Sequence, residues 1–191
     1  MSRTLVLFVA LSVLAMASAG AQSLDPSLAT VTSVDNALIS SMHHAGNSDQ
    51  IPPMIDADFN VSVMSEFIVG PSWAGMSAPD RSAVTAAVRR YLIARFAHEF
   101  AAYSGEQFRV ETNVQARGPD KLVHTEVVTP GEDTARLDYR LRAYDGTWRV
   151  IDIYYNGVSE VTTQRADLAS TVPSGATATV TRIDQATRAL R

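Results

Sequence analysis

The hydrophobic spacing of this chain switches from a period of 3.6 residues to a period of two at Gly105, and back to a helical pattern after Gly157. Helices therefore come first, strands follow in one block, and helices close the chain. That order excludes a repeated strand–helix alternation with a parallel sheet and predicts an α+β fold.

Residues 22 to 45 are expected to form a first helix, with Leu28, Val31, Val34, Leu38 and Met42 on one face. Asp25-Pro26 supplies an N-cap and a proline at the first helical position, and Gly46-Asn47 ends the helix. Pro52-Pro53 reads as a break. A short helix starting near Asp56 or Asp58 carries Phe59, Val63 and Phe67 at spacings of four, and Gly70-Pro71 stops it. The longest helix starts after Ser77, with Asp80 completing a capping box and Pro79 in the first turn. Val84, Val88, Tyr91, Leu92, Phe96, Phe100 and Tyr103 share its apolar face, and Gly105 is its expected stop.

Four strands are expected next: EQFRVETNV, KLVHTEVVT, ARLDYRLRA and TWRVIDIYY. The turns at Gly118-Pro119-Asp120, Pro130-Gly131 and Asp145-Gly146 are too short for parallel crossovers, so the strands make an antiparallel meander. In KLVHTEVVT the face carrying Val123, Thr125 and Val127 is expected to point inward. The tail is helix-rich, with an interruption at Pro173-Ser174-Gly175. The whole is N-terminal helices, a curled four-stranded antiparallel sheet, and C-terminal helices around an apolar pocket.

Arg3 followed by an apolar run from Leu5 to Ala17 and small residues at Ala17-Ser18-Ala19 and Ala19-Gly20-Ala21 has the form of a secretory signal peptide. The run is too short to span a bilayer, which needs about 20 residues. Cleavage after Ala21 would leave residues 22–191 as one domain, exported to the periplasm and soluble. With no Cys in the chain, neither a disulfide nor a lipid anchor on cysteine is available. The formal net charge is −4; loss of Arg3 leaves 15 basic residues against 20 acidic ones, or −5. Such a balance argues against general nucleic-acid binding.

Chemistry-bearing constellations are sparse. His43 and His44 are adjacent, so on a helix they point apart. His124 and Glu126 share a strand face and, with Asp138, form the best acid–base group in the chain, although a solvent-facing pair explains the first two as simply. No zinc spacing, nucleophile elbow or phosphate loop is present. Asp152 is expected to be partly buried, held by Arg165 or a backbone donor. The surplus of apolar residues leaves open a filled core or an apolar ligand cavity.

Three segments carry a resemblance. They are DFNVSVMSEFIVGPSW, SAPDRSAVTAAVRRYLIARFAHEFAAYSGEQFRV and LDYRLRAYDGTWRVIDIYYNGVSEVTTQRADL, the last with Tyr139, Gly146, Trp148, Asp152, Gly157, Ser159 and Arg165 in place. From about Ile51 to Leu190 the chain resembles the MlaC family, the periplasmic lipid-binding auxiliary components of phospholipid transporters, also known as toluene-tolerance proteins. AYSGEQFRV and GVSEVTTQRADL look closest to its hopanoid-associated branch, HpnM. Gln164 and Leu168 depart from the family's usual Tyr and Phe, and the tail is more polar than the pattern, with Pro173 where a helix would run.

The resemblance implies a non-enzymatic carrier of phospholipid or hopanoid-type lipid. It implies no cofactor beyond the lipid cargo, and no nucleic acid. The implied partners are an inner-membrane transporter complex and an outer-membrane lipoprotein or porin complex, with transient membrane contact. Combined with the face assignments, it places Phe59, Val63, Phe67, Val88, Leu92, Phe96, Phe100, Val110, Val127, Tyr139, Leu141 and Val150 around the lipid. The alternatives are a small cone-shaped enzyme with an acid or base in its cavity, and a ligand-free periplasmic adaptor.

Overall fold

The computed structural model describes residues 24–43, 49–101 and 105–190. The expected leader, the helix stop at Gly46-Asn47, His44 and Tyr103 lie outside these residues.

Helix α1 (Pro26–His43) buries Leu28, Val31, Val34, Leu38 and Met42, the stripe expected from spacing. Its start is fixed by Asp25, whose Oδ1 accepts hydrogen bonds from the Ser27 amide at 3.0 Å and the Ser27 hydroxyl at 2.7 Å. The same carboxylate holds Lys121, the only lysine of the chain, at 2.6 Å. The Lys121 ammonium also lies 4.1 Å from the centre of the Trp148 ring, so one cation ties the start of α1 to the sheet.

Pro52-Pro53 does not break the chain. The two prolines open helix α2 (Ile51–Asp58), where the first amides have no intrahelical partner to lose. Phe59 is likewise not helical. It is extended and forms an isolated parallel bridge with Val150, and the Asn60 amide donates to the Val150 carbonyl at 2.9 Å. Helix α3 (Val61–Val69) follows, and its buried face is Met64, Ser65, Ile68 and Val69 rather than the expected Val63 and Phe67. A 3₁₀ turn (Gly70–Gly75) leads on. Gly70 has φ 68°, and a Cβ there would meet the Arg165 guanidinium at 2.8 Å.

Helix α4 (Ala78–Glu99) starts as expected: the Ser77 hydroxyl accepts from the Asp80 amide at 3.2 Å and donates to its carboxylate at 2.7 Å. It buries Val84, Ala87, Val88, Tyr91, Leu92 and Phe96 and ends at Phe100, short of Gly105.

Among the described residues the sheet has seven strands where four were expected: β1 (Gln107–Val110), β2 (Gln115–Arg117), β3 (Asp120–Val123), β4 (Thr125–Val128), β5 (Ala135–Tyr144), β6 (Thr147–Tyr155) and β7 (Val158–Ser159). All the strand pairings are antiparallel. The first expected strand shortens to β1, with β2 forming just beyond its end, and the second divides into β3 and β4. Strand β1 pairs with β4, and β2 with β3, but the two ladders are two residues out of step. The intervening stretch therefore bulges and bends the edge. A second irregularity between Arg140 and Leu141 leaves Ile151 as an extra residue in β6. These bulges curl the sheet. Asp145 (φ 50°) and Gly146 (φ 79°) are both left-handed, as a tight β5–β6 hairpin of the I′ type requires.

Helix α1 packs on β1, β3 and β6, while α3 and α5 (Glu160–Leu168) wrap the β6 edge. A 3₁₀ turn at Val172–Ser174 accommodates Pro173, and α6 (Ala176–Ala189) then runs unbroken against α4. The polarity of α6 does not prevent burial. Thr179 and Thr187 are inside, and their hydroxyls donate to the carbonyls of Gly175 and Ile183, each at 2.9 Å.

Candidate functional site

The face of the sheet that carries Leu137, Tyr139 and Leu141 meets the helices, and the core there is not completely filled. A cavity of about 290 Å³ lies between the second half of α4 and strands β4, β5 and β6. Its deep wall is apolar: Leu92 and Phe96 from α4, Met42 from the last turn of α1, Val127 from β4, Leu137 from β5 and Ile153 from β6. Phe100, just past α4, is half-buried and completes it.

An aromatic ladder stiffens this wall. The Phe59 ring meets Phe96 edge-on at 5.7 Å, Phe96 stacks on Phe100 at 6.0 Å, and Phe100 leans on Phe108 at 6.0 Å. Edge-to-face and offset stacking at these spacings are the favoured arrangements of aromatic quadrupoles. They hold one side of the cavity open against collapse.

The outer end of the cavity is polar. Arg95, Glu99, Glu106, Glu132, Asp133 and Glu160 line it together with Thr129 and Tyr155. Glu99 and Arg95 pair at 2.8 Å, an i,i+4 contact on α4. Glu160 is fixed differently: its Oε1 accepts from the Tyr91 hydroxyl at 2.9 Å and from the Gln164 amide at 3.1 Å, and Gln164 also donates to the Tyr91 oxygen at 2.7 Å. Burial and the neighbouring Glu160 charge push the Tyr91 phenol well above its ordinary range. Gln164, one of the two family departures, is thus a buried strut between α4 and α5, and Leu168, the other, packs in the core.

Of the twelve residues expected around the ligand, Leu92, Phe96, Phe100 and Val127 line this cavity. Val88, Tyr139, Leu141 and Val150 are core residues beneath it, and Val110 is half-buried on β1. Phe59 is buried behind Phe96 and contributes to a wide polar groove on the other side of α2 and α4. Val63 is half-buried at the start of α3. Phe67 lies across the sheet, 5.7 and 5.8 Å from the guanidinium groups of Arg140 and Arg142. Those arginines both bond Asp120; burial opposes its ionisation, but the two cations outweigh that and hold its pKa below the usual carboxylate value. The alternation Leu137, Tyr139, Leu141 against Asp138, Arg140, Arg142 assigns these charges to the second face.

The acid–base group is also placed. His124 Nδ1 lies 3.1 Å from Asp138 Oδ1, with Arg136 3.5 Å from the same oxygen. Neither His124, Asp138 nor Glu126 lines the cavity. They mark the point where β3 gives way to β4. Among the described residues no cluster of three metal-ligating side chains occurs, and no helix is long and apolar enough to cross a membrane.

Asp152 settles the strand-to-helix corner. Its Oδ1 accepts from the amides of Ile153 at 2.8 Å and Val161 at 3.1 Å, and its Oδ2 from the Ser159 hydroxyl at 2.7 Å. Backbone donors and a serine hold it, and Arg165 lies instead against Gly70. Burial raises the Asp152 pKa despite these bonds.

The same architecture is found elsewhere. The phospholipid-binding protein from Ralstonia solanacearum, solved in complex with a phospholipid, superposes with a TM-score of 0.74 over 87% of this chain and 99% of its own, at 21% identity. At that identity the likeness establishes the fold. The family model described as MlaC protein matches residues 30–188, from the second turn of α1 to the last turn of α6. Helices, curled sheet and cavity all fall within the matched span, and the chain belongs to the MlaC family.

Proposed function

We propose that this protein is a periplasmic lipid carrier, without catalytic activity, that moves a phospholipid or hopanoid-type lipid between the inner and outer membranes. The observation that carries the reading is the apolar cavity between α4 and the sheet, open at one end. Acyl or polycyclic hydrocarbon enters past Tyr155 and lies against Phe96, Phe100, Leu137 and Ile153, while the headgroup stays among the charged residues of the mouth. Export on a cleaved leader, an inner-membrane transporter and an outer-membrane lipoprotein or porin complex complete the system that the family resemblance implies.

The energetics explain why a carrier is useful. Each methylene kept from water is worth about 0.8 kcal/mol, so a lipid with two long chains crossing water bare faces a cost on the order of 20 kcal/mol. A dry cavity removes most of that cost without an energy source, and direction is left to the partners. The cavity of about 290 Å³ lies at the lower edge of the range for small-molecule pockets, roughly 300–1,000 Å³. A two-chain lipid therefore requires the exposed loop before β5 to move away from α4. The small volume also favours the alternative of a ligand-free adaptor, and one experiment separates the two.

Protein purified from a bacterial periplasm is analysed by native mass spectrometry beside an Ala135→Trp variant, in which an indole occupies the cavity. Co-purifying lipid in the native protein and its loss in the folded variant are expected. Absence of lipid in the native protein, with no uptake from vesicles, sinks the carrier reading and leaves the adaptor.

A further inference from the structure

From the charge of the cavity mouth we infer that the carrier discriminates among cargo headgroups, taking those with no net negative charge in preference to net-anionic ones. This rests on the lipid-binding reading above. The site is the apolar cavity; the residues at its mouth set its selectivity.

Five carboxylates and one guanidinium line the cavity. The Arg95 guanidinium is 2.8 Å from Glu99 and is committed to that pair. Glu132 and Asp133 are exposed on the loop before β5, and among the described residues no cation is paired with either of them or with Glu160. Glu160 is anchored by neutral donors only, the Tyr91 hydroxyl and the Gln164 amide, which orient its carboxylate without neutralising it. Five other cations are paired away from the mouth: Arg89 with Asp56, Arg90 with Asp184, Lys121 with Asp25, and Arg140 and Arg142 with Asp120.

A lipid seated with its chains against Phe96 and Leu137 places its headgroup among these carboxylates. A headgroup whose only charge is a phosphate is repelled there. A zwitterionic headgroup turns an ammonium toward the carboxylates, which accept its hydrogen bonds, and keeps its phosphate toward water. Like charges facing one another at a partly desolvated contact discriminate more strongly than they do in open solvent.

The test uses vesicles containing equal amounts of phosphatidylethanolamine and phosphatidylglycerol with matched chains. Both lipids share one bilayer, so the encounter is common to them. The mature protein is incubated, separated and its bound lipid quantified by mass spectrometry. Enrichment of phosphatidylethanolamine by about five-fold is expected, falling as salt is raised through 0.15 M and beyond. A Glu132→Lys/Asp133→Lys variant, altered only on an exposed loop and checked for fold by circular dichroism, should shift the ratio toward phosphatidylglycerol. Equal loading of both lipids by the native protein, or a ratio that charge reversal does not move, overturns the selectivity and leaves the carrier reading standing. Failure to load either lipid overturns the selectivity together with the phospholipid form of the carrier reading.

Discussion

Asp35 is the residue whose chemistry is most at odds with its surroundings. It sits on the buried face of α1, 3% exposed, with Oδ1 accepting from the Tyr139 hydroxyl at 2.8 Å and Oδ2 without a partner. Burial raises its pKa from 3.8 to about 7, and the single hydrogen bond from Tyr139 only partly offsets this. The folded chain therefore holds a proton that the unfolded chain releases above pH 4. Stability from this group is fully present below about pH 4, declines as pH rises, and levels off above about 7. The ionised form costs on the order of 4 kcal/mol. Asp58 and Asp152, raised by burial as well, add slope of the same sign. Asp35→Asn keeps the acceptor for Tyr139 and removes the charge. Urea unfolding should show the native protein weaker at pH 8 than at pH 5, and the variant gaining stability chiefly at pH 8. Equal unfolding free energies of the native protein at both pH values would remove the argument.

At the scale of elements, what was legible was what is local. The α1 stripe, the Ser77–Asp80 cap and the Asp145-Gly146 hairpin each depend on residues within a turn or two of one another, and each formed as the spacing implied. Ser77→Ala removes the hydroxyl that caps α4 and should lower stability by about 1 kcal/mol, seen as a reduced urea midpoint with an unchanged m-value. A smaller loss would mean that the Pro79 turn alone holds the helix start. The elements that were misread depend on distant partners. Phe59 lies extended because the β6 edge offers the Val150 carbonyl to Asn60. Phe67 packs at the margin of the core and is only half-buried, its ring also meeting the Arg140 and Arg142 guanidinium groups of β5. Spacing within a segment carries no trace of either neighbour. The divided strand has the same origin, since a bulge records where a sheet must bend around its cover.

At the scale of the whole molecule, the antiparallel meander and the α+β order were readable, and the cavity was readable only in part. Leu92, Phe96, Phe100 and Val127 could be placed from helix and strand faces. Glu160, Glu132, Asp133 and Tyr155 could not. They come from a loop, a strand end and a helix start that converge only when the sheet curls, and in sequence they read as ordinary solvated polar residues. The best available signal was the cluster of acidic residues on either side of β5, read together with the −4 charge of the chain. The Lys121 contact offers a different view of the same assembly. This chain has a single ε-amine, and it is enclosed by the Asp25 carboxylate and the Trp148 ring where α1 meets the sheet. The side chain is partly covered there, at 23% exposure, so an amine-directed reagent has one lysine to modify and reaches it faster when α1 lifts. The rate of that modification becomes a clock for the opening of the helix whose last turn walls the cavity, and acceleration by lipid-containing vesicles would identify α1 as the moving part; a rate indifferent to lipid would place the motion in the loop before β5.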